Sequence, residues 1–195
     1  MAGEPAASPT RVAVPSGGHP HISLVAHSLG ALDQAMAHPE PRLIDRALLD
    51  RASADARASA RGRKNVNLHA AEAEPCNRLL NAIEPGSYVQ PHRHAHPHKD
   101  ETIVAIRGKL GVVFFDEEGR VAGTAVLTPG GDRIGVDIPH GTYHTVFALE
   151  PGTIFFEAKA GPYEPLSASE RAPWAPPEGS PEAQHYLNEI ARLTH

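Results

Sequence analysis

Apolar residues along this chain follow two different rhythms. From Leu43 to about Ala60, "LIDRALLDRASADARASA", the residues Leu43, Ile44, Ala47, Leu48 and Ala52 recur at helical spacing with Arg and Asp opposite them, which predicts an amphipathic helix. After Arg61 the period shortens. Strand-like runs are read at 64–69, 77–83, 87–93, 101–107, 110–116, 121–127, 134–138, 143–149 and 153–159. Between them stand turn formers: "EPG" at 84–86 and 150–152, "RGK", "DEEGR" and "TPGGD". Short strands at this spacing predict an all-β sandwich or barrel. A Pro-rich stretch and a helix from Pro181 to Leu193 close the chain. Trp174 is expected to pack on the barrel, the alternative being a partner contact. In Phe114–Phe115 and Phe155–Phe156 adjacent side chains leave a strand on opposite faces, so one of each pair is expected inside and the other at an interface.

Composition narrows the class. A chain of 195 residues, 41% hydrophobic, supports one core with extensions. A net charge of -5 gives no electrostatic footprint for nucleic acid. The single cysteine, Cys76, excludes an intrachain disulfide and a zinc-thiolate knuckle and fits a reducing cytoplasm. Its thiol is expected to be inert. No signal-peptide pattern opens the chain, and no run approaches the roughly 18 apolar residues of a membrane span. A soluble cytoplasmic protein is expected. Residues 1–20, rich in Ala, Pro, Gly and Ser, read as a disordered lead, and 21–37 as a short apolar stretch isolated by Gly30, Pro39 and Pro41.

The chemistry concentrates in "PHRHAHPHKDE", Pro91 to Glu101, which holds four of the 13 histidines. On a strand, His92 and His94 leave the same face and converge on one ion. Imidazole nitrogen suits several divalent transition metals near neutral pH. A reversal at Pro97 would bring Glu101 beside the pair as an oxygen ligand. A fourth ligand is expected from "IPHGTYHTV", at His144 rather than His140, which falls in the turn. At about 3.3 Å per residue, His98 would lie about 20 Å from His92 on a straight strand. Only a bend at Pro97 would let His98 serve as a substitute ligand. His96 is read as an exposed loop residue.

These residues resemble known motifs. In "GSYVQPHRHAHPHKDETIVAIRG", the residues Gly86, His92, His94, Glu101 and Gly108 stand in the order of the first cupin motif, and "PHGTYH" (Pro139 to His144) resembles the second. The six residues between His94 and Glu101 make a longer loop than the family's usual one. The second motif's leading Gly is replaced by Arg133, and its closing Asn by Ala148. Over Leu43 to Leu193 the chain is similar to WbuC-type cupin-fold metalloproteins, found among bacterial surface-polysaccharide genes and elsewhere. The resemblance implies a mainly β, single-domain cupin (a double-stranded β-helix or jelly-roll barrel) with an N-terminal and a C-terminal helix. It also implies one divalent metal ion and a homodimer, the latter in keeping with a surplus of apolar strand residues. The chain then divides into an extension at 1–42, a helix and linker at 43–63, the barrel at 64–160, and a tail with its helix at 161–195.

A second polar group precedes the histidines. Arg61, Arg63, Asn65, Asn67 and His69 occupy alternate positions, so on a strand they share one face. Burying that face without partners would cost a few kcal/mol per group. It therefore lines a wet barrel mouth that binds an anionic or sugar-like ligand, or it forms the solvated outside of an edge strand. Asn81, and Arg78 beside it, are expected to extend it. Arginine forks suit phosphate and carboxylate, and Asn and His suit hydroxyls.

The expected function is a metal-dependent enzyme for a small polar substrate, a sugar or sugar phosphate. Lewis-acid isomerisation or epimerisation ranks first and Fe(II) dioxygenation second. The ion is Fe, Mn, Zn or Ni. His69 and Tyr143 are the candidates for a general base. The contrasting reading is a non-catalytic sugar- or metal-binding cupin.

Overall fold

The computed structural model describes residues 40–194. The lead and the apolar stretch at 21–37 lie outside the described residues. All that follows belongs to the compact unit that begins at Arg42. Among the described residues no helix is long and apolar enough to cross a membrane.

The first helix, α1, spans Arg46–Ala58. It begins later than the apolar pattern suggests because Asp45 caps it: the Leu48 N–H donates to Asp45 Oδ1 at 2.8 Å. Leu43 and Ile44 therefore precede the helix and are exposed. Leu48, Ala52 and Ala56, four apart, form its buried face.

Eight strands follow: β1 Arg63–Asn67, β2 Cys76–Ile83, β3 Glu101–Arg107, β4 Leu110–Phe115, β5 Val121–Leu127, β6 Gly135–Ile138, β7 Tyr143–Ala148 and β8 Thr153–Ala160. They form two antiparallel sheets, ordered β1-β2-β8-β3-β6 and β5-β4-β7. Between the sheets sit Ile83, Ile103, Ala105 and Phe155 from one and Leu110, Val112, Leu127 and Val146 from the other. This is the mainly β jelly roll expected, with one helix before the strands and one after them: α2 spans Ala183–Ala191.

Each sheet's outer face is covered by the chain itself. Helix α1 packs on Leu80, Ala82 and Ile154 of the larger sheet, with Phe156 beside them. The tail, with Ala172, Ala175, Leu187 and Ile190, packs on Val113, Phe115 and Phe147 of the smaller one. Trp174 is the anchor the sequence suggests, its ring centroid 4.8 Å from that of Phe115. Both phenylalanine pairs thus find packing partners within one chain.

The expected strand at 87–93 is replaced by an extended segment with one ladder position, His92. Pro91 has no N–H to contribute to a ladder. Gly108, the first motif's closing glycine, turns β3 into β4 at φ +70, and a Cβ there would come within 2.5 Å of Thr153 Oγ1.

Candidate metal centre and its cavity

The two histidine-bearing motifs are hydrogen-bonded to each other. The His92 N–H donates to the His144 carbonyl at 3.0 Å, and the His144 N–H to the His92 carbonyl at 2.8 Å. The Gly141 N–H donates to the His94 carbonyl at 2.8 Å, from a turn in which Gly141 has φ +79. His92 and His94 are directed inward, and Arg93 between them lies outside, its guanidinium 4.4 Å from the Tyr143 ring. A turn at 96–98 then carries the chain to Glu101, the first residue of β3.

These contacts gather His92, His94, Glu101 and His144 so that one ligand atom from each lies within 4.8 Å of all the others. The Nε2 atoms of His94 and His144 both stand 3.1 Å from Glu101 Oε2. Neighbouring ligands of an ion held at about 2.1 Å lie about 3 Å apart, so this spacing fits a metal. The tautomers fit as well. His144 Nδ1 lies 2.9 Å from the Thr142 carbonyl and His92 Nδ1 3.0 Å from the Gln90 carbonyl. Donation to those carbonyls leaves each Nε2 with its lone pair directed inward, where only a cation or a proton reconciles it with the carboxylate. Burial, reinforced by His144, pushes the His92 imidazole down to about 3, so it stays in the neutral, ligating form.

Eight antiparallel strands in two facing sheets, with both motifs hydrogen-bonded around one His/Glu cluster, decide the architecture. The chain has the jelly-roll fold expected of a cupin.

The cluster opens on a cavity of about 400 Å³, where His92, Glu101 and His144 form part of the wall. A second hollow, of about 540 Å³, reaches His92 and His94 from the side of the tail at 162–170. Two cavity groups are missing from the sequence reading: Glu157 and Lys159 on β8. Lys159 Nζ stands 2.6 Å from Glu157 Oε1 and 3.7 Å from Glu101 Oε1, and Asn81 Nδ2 donates to Glu157 Oε2 at 2.7 Å. Burial and the Glu101 charge push the Glu157 carboxyl up to about 7, with Lys159 opposing. Burial alone would lower the Lys159 ammonium, but Glu157 and Glu101 raise it above its ordinary value. Burial would raise Glu101. Lys159 and the hydrogen bonds from His144 and His94 reverse that and hold it well below the usual carboxylate range.

Arg61, Arg63, Asn65 and Asn81 line the same cavity, so the polar face is the mouth of the barrel. Asn67 and His69 line an adjoining depression instead, together with Asn65, Asn81, Glu157 and Lys159. His69 Nδ1 is occupied by the Arg78 backbone, accepting from its N–H at 3.1 Å. Arg78 pairs with Glu74 on the surface rather than joining the mouth. Tyr143 is corrected as a general base: it neighbours His144 on β7, so it faces the opposite side, in the core under the tail. Tyr88 lies in that core too, donating to the Pro176 carbonyl at 2.8 Å. His98 is no substitute ligand. The turn leaves it exposed, its ring tilted 52° to that of His96 with centroids 5.4 Å apart. His140 is exposed and paired with Asp100 at 2.8 Å.

Glu170 ties the tail to the histidine loop. Its carboxylate accepts from the Ala95 N–H at 3.0 Å and from the Ser167 N–H and hydroxyl at 2.9 and 2.8 Å. Burial would raise this carboxyl, but those bonds bring it to about 2. A depressed carboxyl stabilises the fold above its unfolded value and loses that contribution as pH falls toward the folded one. Glu170→Gln is therefore expected to lower the melting temperature at pH 7, with the gap from wild type closing as pH drops from 5 toward 3. Thermal melts across that range measure it, and a gap independent of pH would contradict the assignment.

A family model described as "Domain of unknown function (DUF6016)" matches residues 44–127. No curated protein matches the chain. Among solved structures, the chain is similar to KdgF from Halomonas sp., with 20% identity over 52% of this chain and 82% of that one and a TM-score of 0.41. An oxalate decarboxylase of Bacillus subtilis shows 20% identity over 56% of this chain and 27% of that one, with a TM-score of 0.41. An oxalate oxidase in complex with the substrate analogue glycolate shows 19% identity over 53% of this chain and 52% of that one, with a TM-score of 0.42. The chain thus spans about a quarter of the decarboxylase and half of the oxidase.

Proposed function

We infer that the protein is a divalent-metal cupin enzyme that isomerises or epimerises a small hydroxylated substrate, a sugar or sugar phosphate. The observation that carries this reading is the exposure of the His/Glu cluster to a cavity with polar walls, since a purely structural site would be closed. His92, His94, Glu101 and His144 would hold the ion. When bound, it would supply Lewis-acid polarisation of a carbonyl or hydroxyl oxygen.

The chain's own groups supply the rest. The Glu157 carboxylate and Lys159 ammonium present an acceptor and a donor side by side, in position for substrate hydroxyls and for proton exchange at Glu157 Oε. Asn81 fixes the orientation of that carboxylate. Val89, Val146 and Phe155 make the apolar part of the wall and limit the water around the substrate. The resemblance to WbuC-type proteins points to surface-polysaccharide metabolism as the source of such a sugar.

The test is metal content per chain by mass spectrometry on untagged protein, beside a His92→Ala/His144→Ala variant. Near-stoichiometric metal in the wild type, lost in the variant, is expected. Absence of metal from both after incubation with Fe, Mn, Ni and Zn would sink the reading.

A further inference from the structure

Two arginines at the cavity mouth converge on one carboxylate from the far end of the chain. Arg61 Nε and Nη2 donate to Glu178 Oε1 and Oε2 at 2.6 and 3.0 Å, and Arg63 Nη2 donates to Oε2 at 2.6 Å. The Arg63 arm of the fork is held by the barrel independently of Glu178, and the Arg61 backbone is tied to it through Ser87. Arg63 Nη1 donates to the Tyr88 carbonyl at 2.9 Å and to Ser87 Oγ at 3.2 Å, and Ser87 Oγ donates to the Arg61 carbonyl at 2.7 Å. The Arg63 side chain is only 17% exposed, whereas Glu178 is 36% exposed and Arg61 63%. Burial lowers the Arg63 guanidinium from its ordinary value, Glu178 opposes that, and Arg61 adds to it.

Two positive charges thus face a single negative one, at the mouth of the cavity that leads to the His/Glu cluster. Lys64 lines the same mouth and adds a third positive charge. Water screens the outer part of this pair, so exchanging one carboxylate for another anion costs little. A phosphate dianion would match the two guanidiniums better than one carboxylate does.

We propose that the Arg61–Arg63 fork binds the phosphate or carboxylate group of a ligand entering the cavity, and that Glu178 fills the fork until that anion displaces it. The ligand's anionic end sits at the mouth and its hydroxylated end reaches Asn81, Glu157 and the cluster. Only this placement of the second end rests on the function proposed above; the anion site itself needs no metal.

The test is calorimetric titration of the full, chelator-stripped chain with inorganic phosphate. Glu178→Gln is expected to bind one phosphate about tenfold tighter than wild type, because the competing charge is gone while the arginines stay. Adding Arg63→Met to Glu178→Gln is expected to remove the gain. Equal affinities in wild type and Glu178→Gln, or a gain that survives Arg63→Met, would overturn the proposal. If Glu178→Gln loosens the tail, side-chain NMR on ¹⁵N-arginine-labelled wild type decides. Phosphate is expected to shift the Arg61 and Arg63 Nε–H signals, and unmoved signals refute the site. The stripped protein keeps this result separate from the metal reading. Phosphate bound only after metal loading would refute the fork and support the metal, whereas a chain that binds no metal still answers the question.

Discussion

Lys159→Met is expected to cost the metal-free fold about 3–5 kcal/mol, the usual penalty for removing one partner of a buried charged group. Lys159 stands between two buried carboxylates, Glu157 at 2.6 Å and Glu101 at 3.7 Å, and its loss leaves them facing each other with no cation. The pH dependence gives the sign. The Glu157 carboxyl, already raised to about 7 against an ordinary 4.5, rises further without the ammonium. A raised carboxyl binds its proton in the folded state and releases it on unfolding, so stability falls as pH climbs from about 4.5 through 7. The variant's deficit in denaturant melts is accordingly greatest above pH 7 and narrows toward pH 5. A divalent ion at the cluster would neutralise Glu101, so added metal is expected to raise the melting temperature more in Lys159→Met than in wild type. Equal increments would show that the ammonium and the cluster are not coupled.

The sequence carried that arrangement in a form easy to misread. In β8, "TIFFEAKA", Phe155 faces the core between the sheets, and alternation then places Glu157 and Lys159 on the same inner face. The double phenylalanine signals packing, and no local motif marks the charged pair behind it. The same parity rule excludes Tyr143, whose neighbour His144 faces the cavity. The convergence of His92, His94, Glu101 and His144 was legible because two-residue spacing and a proline-marked reversal are local signals. The expected strand at 87–93 failed locally, since Pro91 interrupts the ladder around His92. Arg61 and Arg63 were legible as a polar mouth but not as an occupied one. Glu178 lies 117 and 115 residues away, in a Pro-rich tail whose path only tertiary packing sets. That packing also covers the apolar outer face of the smaller sheet.

Glu101→Gln is expected to separate the metal from the fold. Glu101 follows a loop longer than the usual one, and its carboxylate is the cluster's only negative donor. A glutamine of the same length keeps the shape. Its amide N–H can donate to the lone pair of His144 Nε2, 3.1 Å from Glu101 Oε2, and its amide oxygen can still accept from the other side, so the metal-free fold is preserved. Lys159 keeps Glu157 as its partner, and with the Glu101 charge gone the Glu157 carboxyl falls from about 7 toward its ordinary range. The divalent ion loses its anionic ligand, and affinity is expected to drop about a hundredfold or more, beyond what losing an outer supporting group costs. Chelator competition reads the affinity, and melts in EDTA read the fold. Metal affinity unchanged by Glu101→Gln would mean that the three histidines alone hold the ion and that the carboxylate serves Lys159. A large loss of metal-free stability would instead make Glu101 a structural partner of the ammonium first and a ligand second.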